Sequence, residues 1–327
     1  MSRKITRLSA LIILVLATLM PATITAQDAT PAATPLPSPV AAGGVGDAVI
    51  WLIDQQQEDG SWPGFSGEPD AGTTIDAVIA LAAADEAGLD VGDSIDLALG
   101  WLDTDTNAAD YAVNGPGAAA KLVIALVAVG DETLEIGGTT PLEIVLESQD
   151  PETDLYGFGL YDHAYALMAM AVTDSEIPAE AITVLETMQA DNGGFAWDGS
   201  TDEKMVDSNT TAMIVQALVA AGEGNNIVAG AVDYLRLTVN DQGAGYSIGA
   251  EADANSTALV AQAYIAVGED AIHMTRQLST FQNPSGAYFW MATDAADNLF
   301  TTIQVIPAGV GLTLPVVPGM MDLEEAA

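Results

Sequence analysis

The chain has no cysteine, only two histidines, and seven basic residues against 46 acidic ones in 327 positions. Without cysteine there are no disulfides, no thiolate metal ligands and no thiol for lipid attachment. Three of the seven basic residues fall before residue 26; Lys121, Lys204, Arg236 and Arg276 serve all the rest. A field this negative repels nucleic acid and anionic lipid surfaces, and it disfavours phosphate-rich substrates. It reads as a solvated acidic shell that keeps an exported protein soluble. Long apolar runs are scarce as well. The one at Leu11–Met20 follows Arg3, Lys4 and Arg7 and precedes the small residues Ala22–Ala26, which predicts a cleaved secretory signal over 1–26 and no membrane span after its removal. Residues 27–44, QDATPAATPLPSPVAAGG, carry no apolar period and read as an extended tether. That leaves 45–314 as one large repeat-built domain and 315–327 as a short tail.

What is present in abundance is repetition. Six segments, starting at Thr74, Ala118, His163, Thr210, Thr257 and Thr301, share a small, almost uniformly apolar composition and are spaced by about 45 residues. TIDAVIALAAADEAG and TTAMIVQALVAAGEG are typical. A helix apolar all round is a helix buried on several faces. All but the last end in a short stop containing glycine or an acid. Before each lies a one-sided helical stretch, beginning near Ala48, Ile95, Leu142, Ala181, Ile227 and Ile272. Between the two comes a loop with glycine and an aromatic: Gly60-Ser61-Trp62, Gly157-Phe158, Gly193-Gly194-Phe195, Gly245-Tyr246 and Gly286-Ala287-Tyr288. The second loop is degenerate, offering only Tyr111 and Gly115. Outer helices that are half apolar and inner ones that are wholly apolar need a closed arrangement; an open solenoid leaves inner helices exposed at its ends. The pattern predicts an all-α fold, an α6/α6 toroid of six helix-pair repeats.

The stretches Gln56…Gly60-Ser61-Trp62, Gln189…Gly193-Gly194-Phe195 and Gln282…Gly286-Ala287-Tyr288 resemble the Q…G-x-W repeat of the prenyltransferase and squalene-cyclase superfamily. The resemblance covers most of residues 44–312 and is specific for the fold rather than for one activity. In physical terms, glutamine at the outer helix's end can satisfy orphan carbonyls, glycine permits a left-handed turn, and the aromatic wedges between neighbouring pairs. The closing segment NLFTTIQVIPAGVGLTLP, from Asn298, is similar to the end of the secreted corrinoid-carrier branch, the transcobalamin and intrinsic-factor type. That likeness implies a non-catalytic carrier with a corrinoid held between the toroid and a smaller β-rich domain. About fifteen residues follow Leu312, too few for such a second domain.

In a toroid of this connectivity the inner-helix starts gather at one mouth. Asp162, Asp207, Asp253 and Asp297, with Asp70 or Asp76, are then expected to ring it. An aspartate at a helix start caps free N–H groups and matches the positive dipole end. Acid catalysis needs more. Class II terpene cyclases, which the chain resembles most around Asp207, use a D-x-D-D run whose neighbouring carboxylates keep one proton bound. Here the run reads Asp207-Ser208-Asn209-Thr210, and its sister reads Asp253-Ala254-Asn255-Ser256. Neither Asn, Ser nor Thr replaces the missing acids, and Asp103-Thr104-Asp105-Thr106 lacks the third acid. The Asp/Cys/His zinc set of the protein prenyltransferases is absent. No catalytic residue and no metal ligand is therefore assigned. Asn209 and Asn255 also head glycosylation triplets, but their shared place at a helix start reads as capping.

The third pair is richer: Tyr156, Phe158, Tyr161, His163 and Tyr165 crowd one inner-helix entrance. A satisfied, partly buried histidine is the simpler reading of His163; a donor or axial ligand flanked by tyrosine walls is the functional one. With Trp62, Phe65, Phe195, Trp197, Tyr246, Phe289 and Trp290 on the same loop side, the mouth suits an apolar or planar ligand. The expected function is an exported, non-catalytic toroid with an apolar cavity, binding a corrinoid or isoprenoid ligand through Trp62, Tyr161, His163, Tyr165, Trp197, Tyr246 and Trp290, with Asp207 and Asp253. A cyclase- or glycosidase-like enzyme and a cell-surface module with a protein partner are the alternatives.

Overall fold

The computed structural model describes residues 44–223 and 226–321; the signal, most of the tether and the last residues of the tail lie outside the described residues. The one-sided stretches become the outer helices α1 (Gly44–Asp54), α3 (Ser94–Leu102), α6 (Pro141–Leu146), α8 (Ala179–Met188), α10 (Asn226–Thr238) and α12 (Ile272–Leu278). The apolar segments become α2 (Ala71–Glu86), α5 (Pro116–Ala128), α7 (Leu160–Val172), α9 (Ser208–Ala220), α11 (Ala254–Ala266) and α13 (Leu299–Gly309). Two elements were not expected. The degenerate second loop folds into a short helix, α4 (Asn107–Ala112), and the fifth loop opens with a hairpin of β1 (Val239–Asn240) and β2 (Gly243–Ala244), in which Val239 pairs with Ala244.

Among the described residues the inner helices form a circuit. Helix α2 packs on α5, α5 on α7, α7 on α9, α9 on α11, α11 on α13, and α13 returns to α2. This closure is what separates a toroid from an open stack. Outer helices lie against the preceding inner one, α3 on α2, α6 on α5, α10 on α9, α12 on α11 and α1 on α13. An inner helix therefore has neighbours on nearly every side. In α2 every residue from Thr73 to Ala84 is buried except Asp76, which is why alanine and β-branched residues, rather than one apolar stripe, fill it.

All the inner helices stop in one way. The residue two past each helix end is left-handed: Gly88, Gly130, Asp174, Gly222, Gly268 and Gly311 all have φ between 53° and 82°. The last helix, expected to lack such a stop, has it in Gly311. After that stop the chain doubles back as a strap. Thr313 Oγ1 and the Leu314 amide donate to Gln216 Oε1 on α9 at 3.1 and 3.0 Å, and the Gly319 and Met321 amides each reach Glu86 on α2 at 2.9 Å. Helices α2 and α9 stand three steps apart in the circuit, so the strap crosses its C-terminal end. Val316 within it is buried, so the packed unit runs past residue 314, where the sequence pattern alone ended it.

The glutamine–glycine–aromatic stretches are the seams between outer helices. Gln56 Nε2 donates to Gly60 O at 2.8 Å and to Ser94 O, at the start of the next outer helix, at 2.9 Å. Gln189 repeats this with Gly193 and Ile227, both at 2.9 Å. Gln282 bonds Gly286 O at 2.9 Å and also Gly44 O, which ties the last pair to the first. The carbonyls satisfied are thus the loop's own and the next helix's, not those of the glutamine's own helix end. Glycine is required here twice over: Gly193 has φ +88°, and a Cβ on it would stand 2.1 Å from Gly230 O.

Candidate functional site

Every loop but the second enters the mouth by handing one backbone amide to an inner-helix side chain. The amides of Trp62, Phe195, Ala244 and Tyr288 donate to Oγ1 of Thr74, Thr211, Thr257 and Thr302 at 2.9, 2.9, 3.0 and 2.8 Å. Each threonine in turn donates to the carbonyl four residues earlier in its own helix. In the third pair His163 takes over: its Nδ1 accepts from the Tyr156 amide at 3.2 Å, and Nε2 lies 2.8 Å from Ala181 O. These partners fix a neutral ring with its proton on Nε2. Burial holds His163 down at about 4, against the bond to Ala181, which favours the charged form. With both nitrogens on backbone, His163 is a spacer that replaces threonine, and nothing of it is left to ligate. Trp62 likewise leaves the ligand side: it is fully buried, with its indole N–H on Leu52 O at 2.9 Å.

Two residues beyond the anchored position the side chain faces the other way. Phe158, Trp197, Tyr246 and Trp290 are 98, 53, 51 and 43% exposed, and they come from four consecutive loops. Phe65, just beyond the matching place in the first loop, is exposed too and stacks on Phe300 with ring centroids 3.9 Å apart. The backbone beneath this rim is fixed. The carbonyls of Trp197, Tyr246 and Trp290 accept from the Leu160, Ser208 and Ala254 amides, the first of α7, α9 and α11, at 2.8 Å in each case. The Tyr246 hydroxyl and the Trp290 indole lie beside the Asp207 and Asp253 carboxylates and favour their charged forms. Two of the rim rings thus turn their polar ends toward a capping acid while the residues stay about half exposed.

The acids below the rim are caps. Asp70, Asp207 and Asp253 accept from the third helical amide of their helices at 2.7, 2.7 and 2.8 Å. In the last pair Asn298, not Asp297, does this, at 3.0 Å; Asp297 instead accepts from Asn283 and Ser285 in the loop. Asp162 lies one turn inside α7 and accepts from the Phe158 amide at 3.2 Å. The expected ring of acids is therefore broken at α5, α7 and α13. Burial raises the carboxyls of Asp207 and Asp253, opposed by the hydrogen bonds from Thr210 and Ser256. Both shifts have one cause, the buried cap, so Asp207 is not singled out for acid chemistry.

Deeper, Lys121 on α5 bonds Asp76 on α2 at 2.5 Å and lies 5.5 Å from the ring centroid of Tyr165 on α7. Burial alone would lower the lysine, but Asp76 and the Tyr165 and Tyr111 oxygens outweigh it and hold it charged. Tyr165 is pushed up to about 12 and Tyr161 higher still, chiefly by burial, so both stay neutral phenols. The sequence signal for this cluster is a single charge inside each of two neighbouring helices, the other charges of α2, Asp85 and Glu86, falling at its end. Two further hollows lie away from the rim residues, so neither is the apolar cavity expected at the mouth. One of about 340 Å³ sits between Asp103 and Gly137, and one of about 520 Å³ lies along α8 beside Glu152.

No protein-family model matches the sequence, and no curated protein matches it. Solved structures share its fold at low identity. A variant of the type II terpene cyclase MstE from Scytonema, in complex with geranylgeranyl dihydroxybenzoate, is 16% identical; the match covers 82% of this chain and 95% of that one, with a TM-score of 0.59. Haptocorrin in complex with Cbi is 14% identical over 84% of this chain and 68% of its own, with a TM-score of 0.56. A glycosidase in complex with glucose is 12% identical over 82 and 96%, with a TM-score of 0.55. The chain thus has the α/α-toroid architecture that terpene cyclases and haptocorrin share, as the Q…G-x-W stretches indicated.

Proposed function

We propose that the protein is an exported, non-catalytic toroid that binds a small apolar or planar ligand at the mouth where its inner helices start. The observation that carries this reading is the rim of Phe158, Trp197, Tyr246 and Trp290, exposed at one repeated position while the residues two earlier, Tyr156, Phe195, Ala244 and Tyr288, are buried. Exposed aromatic faces cost hydration free energy, and two of these have their polar ends beside the capping acids Asp207 and Asp253. The ligands named for the structural neighbours, geranylgeranyl dihydroxybenzoate and Cbi, are of this kind. No described helix is long and apolar enough to cross a membrane, and the signal pattern at 1–26 supports export. Titrating the purified protein with cobinamide and with geranylgeranyl dihydroxybenzoate, while following tryptophan fluorescence, tests the reading. Saturable quenching that Trp197→Ala and Trp290→Ala weaken is expected; no saturable response to either ligand removes it.

One observation favours a second reading: Asp207 lies beneath the rim, its carboxyl raised by burial, with the Tyr161 phenol beside it. If that acid donates a proton to an isoprenoid, Asp207→Asn abolishes turnover. Equal residual activity in wild type and Asp207→Asn assigns the acid to capping alone.

A further inference from the structure

One repeated position divides the inner circuit into a polar and an apolar side. The fourth residue of an inner helix, Thr74, His163, Thr211, Thr257 or Thr302, meets its own loop. The sixth stands about 200° further round the helix and so faces the hollow inside the circuit. These sixth residues are Asp76, Lys121, Tyr165, Met213, Leu259 and Gln304. Four of them interrupt stretches that are otherwise wholly buried. Asp76 is the one residue not buried between Thr73 and Ala84, and Lys121 the one between Ala119 and Leu126. Tyr165 has that place between His163 and Met170, and Gln304 between Thr301 and Ala308. Three residues further on, all six helices are buried again, and the strap crosses their far end. Water therefore comes to this level from the mouth, and a recess ends there. Its polar side is α13, α2, α5 and α7; Met213 and Leu259, on α9 and α11, complete it with hydrocarbon.

We propose that this recess receives the inner end of the ligand, and that this end is an uncharged oxygen acceptor, a carbonyl or hydroxyl group, held by Lys121 and Tyr165. The proposal rests on the mouth as the binding side and deepens it by giving the ligand a polar end and a place for it. Spare donors call for an acceptor. An ammonium has three N–H groups; Asp76 Oδ1, at 2.5 Å, takes one, and the Tyr111 oxygen beside it takes at most one more. The Tyr165 hydroxyl has no hydrogen-bond partner among the described residues and is not closed off from water. Its oxygen lies near enough to Lys121 to act on the lysine's charge, so the two donors share the recess. Charge selects a neutral group. Lys121 and Asp76 cancel, so a carboxylate meets Asp76 and a formal charge of −39 with no surplus cation in the recess, while an ammonium meets Lys121. Met213 and Leu259 offer hydrocarbon to the ligand's apolar body on the other side.

The test is a calorimetric titration of the mature chain with three probes of one chain length: 2-octanone, octanoate and octylammonium. 2-Octanone is expected to bind about tenfold more tightly than either ion, the scale of leaving a charged group without its partner. Tyr165→Phe removes a hydroxyl that has no partner among the described residues. It is expected to keep the wild-type Tm and to weaken 2-octanone about fivefold, the scale of one hydrogen bond. Asp76→Asn leaves Lys121 without its neutralising carboxylate, so octanoate is expected to gain about tenfold on 2-octanone; if that variant does not fold, Tyr165→Phe carries the test alone. If Tyr165→Phe binds 2-octanone as tightly as wild type, or folded Asp76→Asn brings octanoate no gain, the recess does not hold the ligand's end and the inference is overturned. The rim reading still stands in that case where Trp197→Ala weakens 2-octanone. If either ion binds wild type as tightly as 2-octanone, the end is not selected for neutrality and the inference falls. If none of the three binds, rim and recess fall together.

Discussion

The aromatics at the mouth divide into two sets that stand two residues apart in the chain and meet opposite fates. Trp62, Tyr156, Phe195 and Tyr288 are buried wedges; Phe158, Trp197, Tyr246 and Trp290 stand in water. The same kind of side chain is structural in one set and available for binding in the other. What separates them is backbone, not hydrophobicity. The wedge residue gives its amide to a threonine or to His163, and the rim residues Trp197, Tyr246 and Trp290 accept at their carbonyls from the first amide of the preceding inner helix. A strand alternates its faces every residue, so two residues would normally share a side. The loops must therefore turn between the two positions, as the third does at Gly157, whose φ is +83°.

The comparison is broken most strongly at a wedge. Phe195→Ala is expected to cost about 4 kcal/mol in chemical denaturation, since a fully buried phenylalanine leaves a cavity. Next in size is the acid response of the histidine anchor. His163 titrates at about 4 folded against 6.5 unfolded, so its stabilisation is fully present above pH 6.5 and lost as pH falls toward 4. That amounts to roughly 3 kcal/mol. His163→Thr, the residue its sister helices use, should lower stability at pH 7 and flatten this limb in a Tm-against-pH series. Asp207 and Asp253 act in the opposite sense: their raised carboxyls are relieved by protonation, so they cannot cause an acid loss. Thr211→Val removes one anchor and leaves the buried Phe195 amide unserved, for about 2 kcal/mol. The smallest effect on stability belongs to the rim. Trp197→Ala should shift stability by no more than about 0.5 kcal/mol, yet weaken ligand binding. A large loss of stability there would make Trp197 another wedge and erase the distinction.

Much of the architecture was legible because its signals are local and repeated. Apolar segments spaced by about 45 residues, each with a polar start, admit few alternatives. The caps at Asp207 and Asp253 could be read directly, because Asp followed by Ser or Thr three positions on satisfies its own helix. The site was less legible. Asp297 and Asn298 are adjacent acceptors, and only the loop's path decided which one caps. His163 stood open to two readings, a satisfied histidine or a ligand, until both its nitrogens were found on backbone. Lys121 and Asp76 could not be paired until α2 and α5 were neighbours. The second loop's short helix α4 carries no repeat signature, so no comparison with the other loops could reveal it.

The order of helices, their caps and stops, and the demand that the inner set be wholly enclosed were determined by residue pattern alone, because helix periodicity and end chemistry act within a few residues. Tertiary structure decided which aromatics face water, which inner-helix residues water reaches, and that Gln282 reaches Gly44 to close the circuit. Those outcomes depend on which backbone groups meet across 40 to more than 200 residues of chain, and no local preference carries that information.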